Sequence, residues 1–146
     1  VPRLGVGVVG VVALCATVQL SREQSPPMLL GDPDTREVFA WIDSARAREP
    51  LRVVFPNPRV VTLETGVPAM GIPFGTNEVV LSEFAAKRIS HVIVPLRALT
   101  RASERNLGRL VETRPLVFPG IFRNAGYTVH RFVPPAAPGA SRDARP

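Results

Sequence analysis

The chain has 146 residues, 45% of them hydrophobic and 21% charged, with a formal charge of +6. Once an apolar start and a polar tail are set aside, about 110 residues remain, enough for one hydrophobic core and not for two. Lys87 is the sole Lys among 18 Lys and Arg residues, and the arginines are scattered without interleaved aromatics, which argues against a nucleic-acid partner; the single cysteine, Cys15, excludes a disulfide framework or a cysteine-built metal site within one chain.

Leu4 to Leu20 carries no charge. As a helix it would rise about 25 Å, against a hydrocarbon core of about 30 Å. Gly5, Gly7 and Gly10 would weaken a soluble helix but suit close packing between membrane helices. The competing reading is a cleaved signal peptide, with Arg3 as its basic start, although Leu14-Cys15-Ala16 makes a poor cleavage site. The opening Val in place of Met fits either an alternative start codon or the tail of a longer protein. The expected organisation is a transmembrane helix over 1–20, a linker over 21–31, an extracytoplasmic α/β domain over 32–133 and a disordered tail over 134–146.

Asp32-Pro33-Asp34 is a helix start, a capping carboxylate before a proline whose missing N–H costs nothing in the first turn. Val38, Trp41, Ile42 and Ala45 then recur on one face, and Pro50 ends the helix. Leu51 to Phe55 reads as a buried strand, Arg59 to Glu64 as one or two helical turns, and Thr65 to Gly75 as a Gly- and Pro-rich loop. Asn77 caps a second amphipathic helix to Ile89, with Val80, Leu81, Phe84 and Ala85 inward, and His91 to Pro95 is a second apolar strand. Strand, helical crossover and strand make a parallel βαβ pair. A further helix over Arg101 to Glu112 buries Leu107, Leu110 and Val111 and turns Arg101, Arg105 and Arg109 outward. Leu116 to Phe122 and Tyr127 to Val133 form a closing hairpin whose Asn124 and Gly126 are placed to reach positive φ. The fold class is α/β, with a mixed sheet built from the parallel pair and the hairpin.

No catalytic or metal-binding set stands out. His91 and His130 have no companion ligand at metal spacing and read as ordinary strand residues. Glu64, Glu78 and Glu83 flank the loop; Glu78 is accounted for by the positive end of a helix and Glu83 by a solvated face. Ser82, Ser90 and Ser103 lack a nucleophile-elbow context, and Gly66, Gly71 and Gly75 match neither a P-loop nor a dinucleotide fingerprint. The Arg101/Arg105/Arg109 ridge would suit anionic headgroups near a membrane, with a plain solvated helix face as the simpler reading.

The succession of a hydrophobic helix, an amphipathic helix with Trp41, a strand ending in Phe55-Pro56, the stretch from Pro58-Arg59 to Thr65-Gly66, a Gly/Pro loop, a helix to Lys87-Arg88-Ile89, the strand His91 to Val94 and a hairpin from Phe118 to Phe132 resembles the C-terminal soluble domain of GT-C-type integral membrane glycosyltransferases. It spans residues 4–133. The resemblance implies a non-catalytic domain outside the cytoplasm, attached to an enzyme that uses polyprenyl-phosphate sugars and contributing to acceptor contact or to stability. In that family the catalytic carboxylates lie far upstream, so no catalytic residue, metal or cofactor is carried over. Implied partners are membrane lipid and, in the full-length parent, a lipid-linked sugar and an acceptor, with no nucleic acid. Arg59, Thr65 and Gly66, with the rest of the loop to Gly75, become the candidate substrate contacts, with Thr65-Gly66 as the mere end of a helical turn the plainer alternative. A free-standing single-pass or secreted α/β binding module is the alternative function.

Overall fold

A computed structural model describes residues 31–97 and 101–135. The expected membrane helix over 1–20, nearly all of the linker and nearly all of the tail lie outside the described residues, and among the described residues no helix is long and apolar enough to cross a membrane. Pro33 begins the unit that holds every helix and strand among the described residues.

Its elements are α1 (Pro33–Arg46), β1 (Val53–Val54), α2 (Pro58–Thr65), β2 (Ala69–Met70), α3 (Asn77–Ala86), β3 (His91–Pro95), α4 (Ala102–Thr113), β4 (Gly120–Arg123) and β5 (Tyr127–Arg131). They form a five-stranded sheet in the order β2-β1-β3-β5-β4. β1 pairs in parallel with β2 and with β3, placing Val53 opposite His91 and Val54 opposite Val92. β5 runs antiparallel between β3 and β4. The expected parallel pair and hairpin are both present, joined into one mixed sheet.

Side chains alternate across a strand, and the two faces are covered by different helices. Val54, Val92 and Val94 pack with Val80, Leu81 and Phe84 of α3 and Leu107, Leu110 and Val111 of α4, a core closed by Phe118 and Phe132 at the ends of the hairpin. On the opposite face Phe55 stacks on Tyr127 at 5.8 Å and meets Phe39 of α1 at 6.1 Å. Val38, Ile42 and Ala45 of α1 are buried there, with Val61 of α2. Thr35 completes the buried stripe of α1 by a hydrogen bond between its hydroxyl and the Tyr127 hydroxyl, 3.1 Å.

Four local expectations are corrected. The loop from Thr65 to Gly75 contains the edge strand β2, held by Val53 N donating to Pro68 O (3.1 Å) and Phe55 N to Met70 O (3.0 Å). A strand of two residues has no periodicity to detect. Helix α3 is capped by Thr76, whose hydroxyl accepts from Val79 N, so Asn77 stands inside the first turn. The same helix stops at Ala86 because Arg88 adopts a left-handed backbone (φ 53°), letting Ile89 N donate to Phe84 O (2.9 Å); Ala85 faces solvent. Leu116 lies in a turn and is 90% exposed rather than in a strand, because Pro115 and Pro119 lack the N–H groups a ladder needs.

The hairpin turn also works differently from expectation. Neither Asn124 nor Gly126 has positive φ. The Asn124 carboxamide oxygen accepts from Gly126 N (3.0 Å) and Tyr127 N (2.8 Å), while its amide donates to Asp34 O (2.9 Å). Gly126 is required by space: a Cβ there would lie 2.8 Å from Asp34 Cβ.

Candidate functional site

The three parallel strands point their carboxyl ends at one edge of the sheet. In open α/β sheets that edge is where ligands bind, since the loops leaving the strands and the N-termini of the following helices converge there. Here the edge carries Pro56-Asn57 after β1, residues 71–76 after β2, Leu96-Arg97 after β3 and the first turn of α4.

A depression of about 80 Å³ lies at this edge, where the loop after β2 meets the first turns of α3 and α4. Its apolar wall comes from Ile72, Pro73, Val80, Leu107 and Leu110, and its polar groups are Asn77, Ser103 and Asn106. Phe74 stands at the rim with 83% of its surface exposed. Gly75 aims it. Its φ of 137° is open to glycine alone in practice, and a Cβ there would meet Val79 Cγ1 at 3.0 Å.

Both helix N-termini beside the depression already hold a carboxylate. Glu104 Oε2 accepts from the N-cap nitrogen, Arg101 N, at 3.3 Å at the start of α4. Glu78 sits in the first turn of α3, held below the usual carboxylate range by its backbone hydrogen bond and then by the Thr76 hydroxyl. The positive ends of the two helices are thereby offset by the chain's own charge.

The residues singled out from sequence are not brought together. Arg59 is exposed in the first turn of α2, at the carboxyl edge. Thr65 and Gly66 lie at the other end of the same helix, about 9 Å further along its axis. Thr65 is buried; its hydroxyl donates to Val61 O (2.7 Å) and accepts from Val67 N (3.2 Å), and its carbonyl accepts from the Arg46 guanidinium. Gly66 is the left-handed C-cap, φ 68°, with its N–H on Thr62 O. In this structure Thr65-Gly66 is the end of a helix. Phe74 and Gly75 fall within the Gly/Pro loop noted in the sequence, whereas Ser103 and Asn106 lie on a helix whose recognisable pattern was its arginine ridge. Arg101, Arg105 and Arg109 are all exposed, as the helical phase requires.

A second polar cluster lies on the other face. His91 is 1% exposed, with Nδ1 2.9 Å from Ser90 Oγ and its ring edge against Trp41. Ser90 Oγ also accepts from Arg52 N (2.9 Å) and lies 3.1 Å from Arg52 O, so the hydroxyl is tied into the sheet. His91 Nε2 has no hydrogen-bond partner among the described residues; the Glu49 carboxylate, 3.9 Å away, is engaged by Arg131 at 2.5 Å. Burial holds the His91 pKa below its ordinary value, against the pull of Glu49 and with the help of Arg131. His130 is shifted the same way by burial, although Phe118 O accepts from its ring. Among the described residues no group of three or more His, Cys, Asp or Glu side chains is placed to hold a metal ion.

Compared with protein-family models, with curated proteins and with solved structures, the chain matches none of them.

Proposed function

We infer that this α/β unit is the non-catalytic C-terminal domain of an integral membrane glycosyltransferase that uses a lipid-linked sugar donor, and that it contacts the acceptor. The order of elements that carries the resemblance supports this reading. The single observation behind the acceptor contact is the depression at the carboxyl edge, with the exposed Phe74 at its rim and the loop after β2 as its wall. A loop held on a rigid α/β scaffold is a common place for binding. On this reading Arg59 is an exposed residue of the same edge, outside the lining of the depression, Thr65 and Gly66 hold α2 in place, and the hydrophobic segment from Leu4 to Leu20 anchors the domain outside the cytoplasm.

The test uses the full-length coding sequence. It should continue upstream in frame through further hydrophobic segments and an acidic loop. In membranes carrying that protein, deletion of residues 33–133 should leave binding of the lipid-linked donor within about twofold and weaken use of the acceptor about tenfold or more, roughly 1.4 kcal/mol. A chain released from membranes as a soluble product would instead favour the free-standing binding module, and a deletion that leaves acceptor use unchanged would overturn the acceptor contact.

A further inference from the structure

We propose that the depression at the carboxyl edge binds one uncharged sugar ring, which stacks on Phe74 and hydrogen-bonds to Asn77, Ser103 and Asn106. The proposal rests on the acceptor-contact reading above and names its ligand class.

Charge, shape and polar lining all favour this ligand. Among the described residues no charged side chain lines the depression. An anionic group drawn to the helix N-termini would meet Glu78 and Glu104, whose carboxylates already occupy them. That disfavours a phosphate, and with it the donor's lipid phosphate. The lining instead pairs an apolar wall with a few neutral donors and acceptors, the usual make-up of a small-molecule site. A sugar ring has the matching surface, with C–H groups on its faces and hydroxyls around its edge.

Phe74 supports the same assignment. A phenyl ring that is 83% exposed leaves most of its apolar surface in water, at a cost that a flat apolar partner removes. The adjoining Pro73 has a fixed φ, which removes part of the ordering needed on binding. Asn77 is available because Thr76 takes the capping role. The depression, about 80 Å³, is smaller than a whole sugar, so a ring seats one edge in it and lays its face on the exposed Phe74; a polyprenyl chain or a nucleotide is far too large for it.

The test is saturation-transfer NMR on the full 146-residue chain in detergent micelles. The probes are methyl glycosides of glucose, galactose, mannose and arabinose, with inorganic phosphate as competitor. We expect transfer to the ring C–H protons of at least one glycoside, unaffected by phosphate, and weakened at least fivefold in Phe74→Ala and in Asn106→Ala. Both side chains are solvent-facing, and an unchanged circular dichroism spectrum will show that both variants fold. No transfer from any glycoside, equal transfer in Phe74→Ala, or displacement by phosphate would overturn the sugar site. Those failures leave the membrane-transferase reading to the deletion experiment, which measures acceptor use without reference to this depression.

Discussion

His91 is the side chain whose surroundings differ most from its sequence context. A histidine at a strand edge ordinarily keeps one nitrogen in water, yet this one is sealed between Trp41, Ser90 and β5, with Nε2 unpartnered among the described residues. Desolvation favours the neutral ring, so the folded chain holds this proton, and that of His130, less tightly than the unfolded chain does. Just below the unfolded value of about 6.5 the unfolded state therefore binds more protons, and stability falls as pH drops. Above it both states are neutral and the effect vanishes. Urea midpoints should decline between about pH 7 and about pH 5.5, and the decline should shrink in His91→Gln. A midpoint flat across that range would show that the folded protein accommodates the charged ring, for example through Glu49.

Helix α2 illustrates how one element separates roles that lie close in sequence. Its first turn leaves Arg59 in solvent at the carboxyl edge, and its last turn buries Thr65 in a closed set of hydrogen bonds with Val61 and Val67. Thr65→Val keeps the shape but leaves Val67 N without its acceptor, a loss of about 1–3 kcal/mol. Arg59→Ala removes an exposed side chain and should change stability by less than about 0.5 kcal/mol. Thermal unfolding of the two variants distinguishes the cases. Equal and negligible effects would show that the Thr65 hydrogen bonds do not hold the end of α2.

At the scale of the whole molecule, Phe84 ties the parallel half of the sheet to the antiparallel half. It projects from α3 and meets Phe132 at 5.6 Å and Phe118 at 6.5 Å, the residues that flank the hairpin, in edge-on geometry. Phe84→Ala should cost about 3–5 kcal/mol, a large share of the stability of a domain this size. The loss should appear as one cooperative shift in the unfolding midpoint read by far-ultraviolet circular dichroism and by Trp41 fluorescence together. Two separate transitions would mean that the two halves of the sheet unfold independently.

Short-range sequence pattern determined the long elements: α1, α3 and α4 with their buried faces apart from Ala85, and β3 as an apolar run, while the crossover connection gave the parallel pairing of β1 with β3 and the turn residues the closing hairpin. These follow from the helix and strand periodicities and from turn residues, which act within a few positions along the chain. Tertiary structure alone decided the short edge strand β2, the reason for Gly126, the burial of His91 and the assembly of Phe74, Asn77, Ser103 and Asn106 at one edge. Each depends on contacts between segments far apart in sequence. Gly126 looked like a turn glycine, and its true constraint is Asp34, at the far end of the domain's chain, whose Cβ leaves it no room.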